Sequence, residues 1–377
     1  MQYRFDEIAY NSTTKKKPTE DDKETYIGLE HLDSECLRVS RWGSDVAPVG
    51  EKLIMKKGDI LFGKRRAYQR KVGIAPFDGI FSAHGMVLRP NEEVINPNFF
   101  PFFISSDQFM ERAVRISVGG LSPTINWKDL REQEFDIPSL DEQKELADKL
   151  WAAYNLKESY KKLLSATDEM VKSQFIEMFY GRETTPAREY LEDSYPGEWG
   201  TEDNDGNGAK VIRTTNFTNT GKLNLEDVVT RNIEERKVTR KQIRKFDTIL
   251  ERSGGTTDNP VGRVVLFEDE GEYLCNNFTQ VLRFKDIDPR YAFYALYFFY
   301  QTNKTAIRSM GSKTTGIQNL NMSKYLEIGI PNATQDEQND FVRIAEQADK
   351  SKLIQNNTLL NNKLKFCYCY TPRHISS

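Results

Sequence analysis

The sequence predicts a mixed α/β (α+β) chain of two similar domains with strand-rich cores, separated by two long, antiparallel, coiled-coil-like helices in an internal pseudo-twofold repeat. Three observations predict it. One set of motifs recurs in the same order in both halves. Each half holds short β-rich runs broken by Gly, Pro, Asn and Asp, and each closes on a long polar stretch with an apolar seam.

The repeat organises the chain. Ile137-Pro138-Ser139-Leu140-Asp141-Glu142-Gln143 returns as Ile330-Pro331-Asn332-Ala333-Thr334-Gln335-Asp336-Glu337-Gln338. Upstream, the segment from Gly120 to Asn126 matches the one from Gly316 to Asn321, and Val87-Leu88-Arg89 matches Val281-Leu282-Arg283. Lys57-Gly58-Asp59-Ile60 matches Lys245-Phe246-Asp247-Thr248, and Tyr26-Ile27-Gly28-Leu29 matches Val211-Ile212-Arg213-Thr214. Chance similarity would not keep that order.

Strands are expected at 59–62, 72–75, 85–88, 248–250 and 262–267, with apolar helices at 98–105 and 290–300. Residues 141–181 carry no Pro or Gly before Gly181, and Leu146, Leu150, Ala153, Tyr160, Leu164, Val171 and Met178 recur at spacings near three and four. Such a helix spans about 60 Å at 1.5 Å per residue. Phe341, Ala345, Ala348, Leu359 and Phe366 give the second copy a weaker seam, interrupted at Lys352 and Gln355. Two similar helices that each follow a domain are expected to pack on one another; the plainer reading is a surface helix on each domain. The resulting division is a first domain at 1–140, a spacer helix at 141–181, a second domain at 182–335 entered through a Gly-, Pro- and acid-rich linker at 182–207, a second spacer helix at 336–370, and a tail at 371–377.

Bulk composition sets the outer bounds. A chain of 377 residues with 38% hydrophobic content suffices for two cores, and 11% aromatic residues argue for folding throughout. The amino terminus lacks a basic segment ahead of an apolar run, and no stretch of about 18 apolar residues occurs. Cys36, Cys275, Cys367 and Cys369 show no Cys-x-x-Cys spacing. These features predict a cytoplasmic chain with no membrane span, no disulfide framework and no zinc ribbon.

The sequence lacks the motifs of the common catalytic classes. Neither a dinucleotide nor a nucleotide-phosphate glycine loop is present, and His31, His84 and His374 have no metal-spaced neighbour. Asn96-Pro97-Asn98-Phe99 lacks the second proline of an adenine-holding methyltransferase motif. Glu142-Gln143-Lys144 resembles a nuclease Glu-x-Lys, but its copy Glu337-Gln338-Asn339 loses the lysine, and a helix start explains it by capping and packing. Neither a catalytic residue nor a metal site is expected.

Basic loops stand out instead. Between residues 52 and 72 lie eight Lys or Arg against the single acid Asp59, in a chain whose net charge is −3. Lys64, Arg65, Arg66, Tyr68, Gln69, Arg70 and Lys71 fall between two strand-like runs and offer donors for phosphates and guanine edges, together with an aromatic ring. In the second half, residues 231–252 carry eight basic and four acidic side chains and lead into Ser253, Gly254, Gly255 and Thr256, where glycines would let backbone amides approach a phosphate. One basic run alone is usually a solvated face; two at matching repeat positions favour DNA. Arg252, Arg213, Thr214, Lys313 and Thr314 join the candidate set. His84 reads either as a strand-end histidine or as a base contact.

Glu251-Arg252-Ser253-Gly254-Gly255, Pro260-Val261-Gly262-Arg263, Ile212-Arg213-Thr214-Thr215-Asn216-Phe217 and Gly58-Asp59-Ile60-Leu61, with the Ile-Pro and Asp-Glu-Gln helix openings, resemble specificity subunits of type I restriction-modification systems. The resemblance covers nearly the whole chain. It implies two target-recognition domains that each read one part of a split site on double-stranded DNA, with the paired helices as spacer. It also implies two adenine-N6 methyltransferase subunits and restriction subunits as partners. S-adenosylmethionine would then sit on the former, ATP and magnesium on the latter, and no cofactor on this chain. Because the two loops differ in sequence, an asymmetric target is expected. The rival reading is a repeat-built scaffold that binds only proteins.

Overall fold

The Asp of each Lys-x-Asp motif and the Arg of each Val-Leu-Arg motif meet in space in both halves. Arg89 Nε and Nη2 donate to the two carboxylate oxygens of Asp59 at 2.7 and 2.9 Å. Arg283 grips Asp247 in the same way at 2.9 and 2.6 Å. Each aspartate also accepts a backbone N–H three residues upstream, from Lys56 or Arg244, at 2.8 Å. The turn so closed needs a left-handed residue, supplied by Gly58 (φ +91°) in one copy and by Phe246 (φ +70°) in the other. Arg290 stacks over the Phe246 ring at 5.1 Å, so the side chain that strains the backbone is itself packed.

The computed structural model describes residues 1–256, 259–314 and 317–368, with the side chains of 313–314 and 353–368 outside that description. The chain divides into a first unit of residues 1–159 and a second from residue 160 onward. That division falls inside the first long helix, Leu140–Phe179.

Each unit is built on an antiparallel four-stranded sheet of matching order. In the first, Ala9–Ser12, Met86–Pro90, Ile60–Phe62 and Val72–Ile74 lie side by side. In the second, the order is Leu191–Pro196, Thr279–Phe284, Thr248–Glu251 and Val264–Leu266. The central strands of the second unit are buried along their whole length, consistent with their Val, Leu, Ile and Thr content. A further four-stranded sheet accompanies each unit, and here the copies diverge. Gly79–Phe81 is an interior strand in the first unit, whereas its counterpart Tyr273–Cys275 forms the edge in the second. The stretch at 182–207, expected as a linker, is built into the second unit. It supplies Thr184–Pro186, Leu191–Pro196 and Thr201–Glu202, because its short Thr, Tyr and Leu runs find partner strands that sequence periodicity does not reveal.

Both long helices start on the same device. Glu142 accepts from the Ser139 amide and hydroxyl at 2.9 and 2.7 Å, and Glu337 accepts from those of Thr334 at 2.8 and 3.1 Å. The next residue is a buried glutamine. Gln143 accepts from the Asn96 amide at 2.7 Å and donates to the carbonyls of Val94 and Pro138. Gln338 accepts from the Asp288 amide at 2.8 Å and donates to the Ala333 carbonyl. The Asp-Glu-Gln triplet is thus a cap plus an anchor in both copies.

The buried face of the first long helix shares Val171 with the expected seam and otherwise differs from it. Within the first unit its buried residues are Gln143, Ala147 and Tyr154, and the Tyr154 hydroxyl accepts from the Leu37 and Arg38 amides at 3.0 and 3.1 Å. Within the second unit they are Val171, Phe175 and Phe179. Leu146, Leu150, Ala153, Tyr160, Leu164 and Met178 are half-buried. Phe175 and Phe179 lie 5.1 and 5.9 Å from Phe341, which with Ala345 and Ala348 is buried on the second long helix, Gln335–Tyr368. Nearer the start of the first helix, Asp168 is bonded to Lys352. Partners fall along one helix as they rise along the other, so the pair is antiparallel. The seam is not a simple two-helix zipper, because Phe175 also packs on Tyr291 and Phe298 of the helix Pro289–Thr302. Leu359 and Phe366 lie outside the described side chains.

Arg182, just past the first long helix, clasps Glu337 at 2.9 and 2.7 Å. That guanidinium, with the Thr334 amide, pulls the Glu337 carboxyl from its ordinary 4.5 down to about 2. A folded value below the unfolded one stabilises the protein above about pH 4.5, and this contribution is lost as pH falls toward about 2. Glu337→Gln should therefore flatten the acid limb of a urea-midpoint-versus-pH curve in that window; an unchanged limb would show that the pair contributes nothing there.

Candidate nucleic-acid interface

In each unit the strand that follows the aspartate of the Asp–Arg pair runs directly into the basic loop, and the segment that begins at Gly120 or Gly316 in the sequence folds back to hold it. In the first unit the Ile125 amide donates to the Lys64 carbonyl at 3.0 Å, and Arg65 bridges to Thr124. In the second, the Leu320 amide donates to the Arg252 carbonyl at 2.8 Å, and Ser253 pairs with Asn319. Two motifs matched only in sequence are thus brought together twice, in equivalent registers.

The loops themselves differ. Arg65, Arg66 and Tyr68 are exposed. Arg66 is left-handed (φ +56°), its amide donates to the Pro123 carbonyl at 2.7 Å, and its Nε donates to the Ser122 hydroxyl at 3.1 Å. Lys64 is half-buried, and burial together with the neighbouring Lys15 charge lowers its pKa. Lys15 belongs to the strand Lys15–Lys16, which pairs with the strand Lys52–Met55. An anion laid across Lys15 and Lys64 would relieve that repulsion.

Much of the apparent positive charge at 52–72 is committed internally. Lys52 is buried against the Gly50 carbonyl at 3.1 Å, and Lys56 pairs with Asp78 at 2.9 Å. Arg70 pairs with Asp107 at 2.6 Å and donates to the Ser105 carbonyl, while the Gln69 carbonyl accepts from Ser34. Lys71 donates to the Leu29 carbonyl at 2.6 Å. Its repeat counterpart Arg263 reaches the matching Thr214 carbonyl at 3.5 Å and Glu251 at 2.7 Å, so this cation fastens the loop base in both copies. His84 is exposed at the turn 82–85.

On the second unit Arg252 is half-buried and donates to Gln280 at 3.3 Å, while Ser253 is buried with its hydroxyl on Asn319 at 2.7 Å. The glycines serve the turn rather than an open amide cradle. Gly254 is strand-paired with Gln318, and Gly255 is left-handed (φ +66°), where a Cβ would come within 2.7 Å of the Val261 amide. Thr256 is exposed, and its amide donates to the Asn259 carbonyl at 2.7 Å. Arg213 pairs with Asp227 at 3.1 Å, and Thr214 is half-buried. Lys313 and Thr314 continue the strand Gly311–Thr314, but their side chains lie outside the described ones. Sequence reasoning missed Phe278, exposed beside the loop, whose carbonyl accepts from the Arg252 and Ser253 amides at 2.9 and 3.1 Å. Its aromatic character was visible, but its place beside the loop depends on strand register.

Among the described residues no group of three or more His, Cys, Asp or Glu is placed to hold a metal ion, and no helix is long and apolar enough to cross a membrane.

Comparison with known proteins fits this geometry. The model of the type I restriction modification DNA specificity domain matches residues 6–166 and 197–365, one segment in each half. The specificity subunit of the type I restriction enzyme EcoDI from Escherichia coli is 26% identical over 201 residues, which is 52% of this chain and 45% of that protein. The chain thus matches less than half the length of that curated relative. In fold it is similar to the S subunit of a type I restriction-modification system from M. genitalium, with a TM-score of 0.55 at 13% identity over 97% of this chain and 93% of that one. It is also similar to a chain from a structure addressing complex assembly and conformational transition of the type I R-M system, with a TM-score of 0.52 at 16% identity, covering 96% of this chain and 94% of that one. With the family model occupying both halves and the repeated loops built alike in each, the chain belongs to the type I restriction modification DNA specificity domain family.

Proposed function

We propose that this chain reads a split, asymmetric DNA site for a type I restriction-modification complex, each unit reading one part, and that it docks two adenine-N6 methyltransferase subunits and restriction subunits. One observation carries the reading: two loops of different sequence, Lys64–Lys71 and Arg252–Thr256, are presented by the same scaffold at the same repeat position. Like scaffolds with unlike readers predict two unlike half-sites. Chemistry then belongs to the partners, with S-adenosylmethionine on the methyltransferases and ATP and magnesium on the restriction subunits, in the cytoplasm. Methyltransferases must extract their target base, so the chain's task is to grip the duplex around it.

Arg65, Arg66 and Arg252 are the side chains assigned to phosphates and base edges. Duplex binding by the assembled complex should weaken steeply with salt, and each phosphate contact removed should lower the slope of log K against log salt by about 0.9. Arg65→Ala and Arg66→Ala should relax sequence preference in one half-site only, and Arg252→Ala in the other. Binding that ignores salt, or a complex that assembles without any duplex affinity, would favour the protein-scaffold reading instead.

A further inference from the structure

We propose that Leu121, and in the corresponding segment of the second unit Ile317, act as apolar wedges that enter the base stack of the bound duplex beside the phosphates held by the neighbouring arginines. The inference rests on the DNA-reading role given above and adds what the exposed aliphatic side chains contribute to it.

Among the described residues no large apolar side chain is more exposed than Leu121, at 97%. A single exposed leucine is ordinary and by itself means nothing. Three features set this one apart. First, the corresponding segment of the second unit also carries an exposed aliphatic: Ile317, 44% exposed, lies three residues ahead of Leu320, and Leu121 lies four ahead of Ile125. Second, it is held. The loop that carries Leu121 is rooted by two hydrogen bonds between Val118 and Thr124, at 3.0 and 2.9 Å, and Gly119 turns the chain at φ +112°. Arg66 ties the far side down through the Pro123 carbonyl and the Ser122 hydroxyl. Ile317 is likewise set in a strand, Ile317–Leu320, paired on one side with Gly311–Thr314 and on the other with Ser253–Gly254. Third, the wedge stands among cations: Ser122, next to Leu121, contacts Arg66, and Arg65 bridges to Thr124.

A pinned aliphatic tip beside the Arg66 guanidinium, with Arg65 on the adjoining backbone, matches the chemistry of a kinked duplex. The cations neutralise phosphates on either side of a step, and the apolar side chain fills the gap opened between the bases, where it leaves water. Charge complementarity names the occupant as a polyanion, and the aliphatic tip requires one with a base stack. A duplex already unstacked at a neighbouring step gives up a nearby base more cheaply, which suits a complex that must extract its target adenine.

The test uses the full chain assembled with its methyltransferase subunits and duplexes selected by that complex from a random pool. 2-Aminopurine is placed in turn at each step of the half-site read by the first unit, except at the methylated adenine itself. Wild type should raise the fluorescence at one step. Leu121→Ala should lose that rise and bind about tenfold more weakly, the scale expected when a leucine forfeits part of its burial. Its melting temperature should not move, since the side chain touches little within the fold, and Leu121→Phe should keep the fluorescence change. No rise at any step, or an Ala variant indistinguishable from wild type, would overturn the wedge while leaving DNA reading intact. Absence of any selected duplex would instead remove the DNA-reading role and the wedge with it.

Discussion

Asp247→Ala is expected to destabilise the second unit by about 3–5 kcal/mol, the loss seen when one partner of a buried ion pair is removed and the other is left without compensation. The Arg283 side chain is only 10% exposed, and its guanidinium has the Asp247 carboxylate as its bidentate partner, with the Tyr195 hydroxyl 3.2 Å away. Alanine would strand that charge inside the sheet and also free the Arg244 amide that closes the preceding turn. Asp59→Ala provides the control within the same molecule. Its partner Arg89 is 42% exposed and can turn to water, so the cost there should be nearer 1 kcal/mol. Urea unfolding followed by a probe in each unit would read the difference. Equal effects at the two sites, or a shift below about 1 kcal/mol for Asp247→Ala, would show that burial does not set the strength of these pairs.

Phe175→Ala should cost the second unit a comparable 3–5 kcal/mol, by a different route. The Phe175 ring lies 5.1 to 5.8 Å from the rings of Phe179, Tyr291, Phe298 and Phe341, drawn from both long helices and the helix Pro289–Thr302. Deleting it opens a cavity at the point where three helices converge, and none can collapse inward without breaking contacts on its other side. Phe175→Leu, which keeps most of the volume, should cost less than about half as much. Calorimetry on the pair of variants checks this. An alanine variant no worse than the leucine one would mean that the cluster repacks, and that the two long helices are held by the Asp168–Lys352 and Arg182–Glu337 bonds instead.

The repeat was legible because it is written in residues whose partners are also repeated. Asp59 with Arg89, Asp247 with Arg283, and the two Gln anchors each lie in a motif that can be matched by eye, so their pairing follows once the strands form. The helix seam was read less well. A spacing rule for two zipped helices selects Leu146, Leu150 and Leu164, whereas the real burial follows Ala147 and Tyr154 in one unit and Phe175 and Phe179 in the other. A helix shared by two cores obeys two local environments, and no single period describes both. Charge was the least legible. Lys71, Arg70 and Lys56 belong to one basic run in the sequence, yet Leu29, Asp107 and Asp78 absorb them, and such partners are fixed only by the tertiary fold. What remained outward, Arg65 and Arg66, is a smaller and sharper set than composition suggested.

Both long helices are seated by a neutral amide group. Gln143 and Gln338 do not titrate, and counterions have little hold on them. On the proposed role, salt strong enough to strip a duplex from the arginines should therefore leave these two glutamine anchors in place. On that role, release of the duplex and loosening of the frame become separate events.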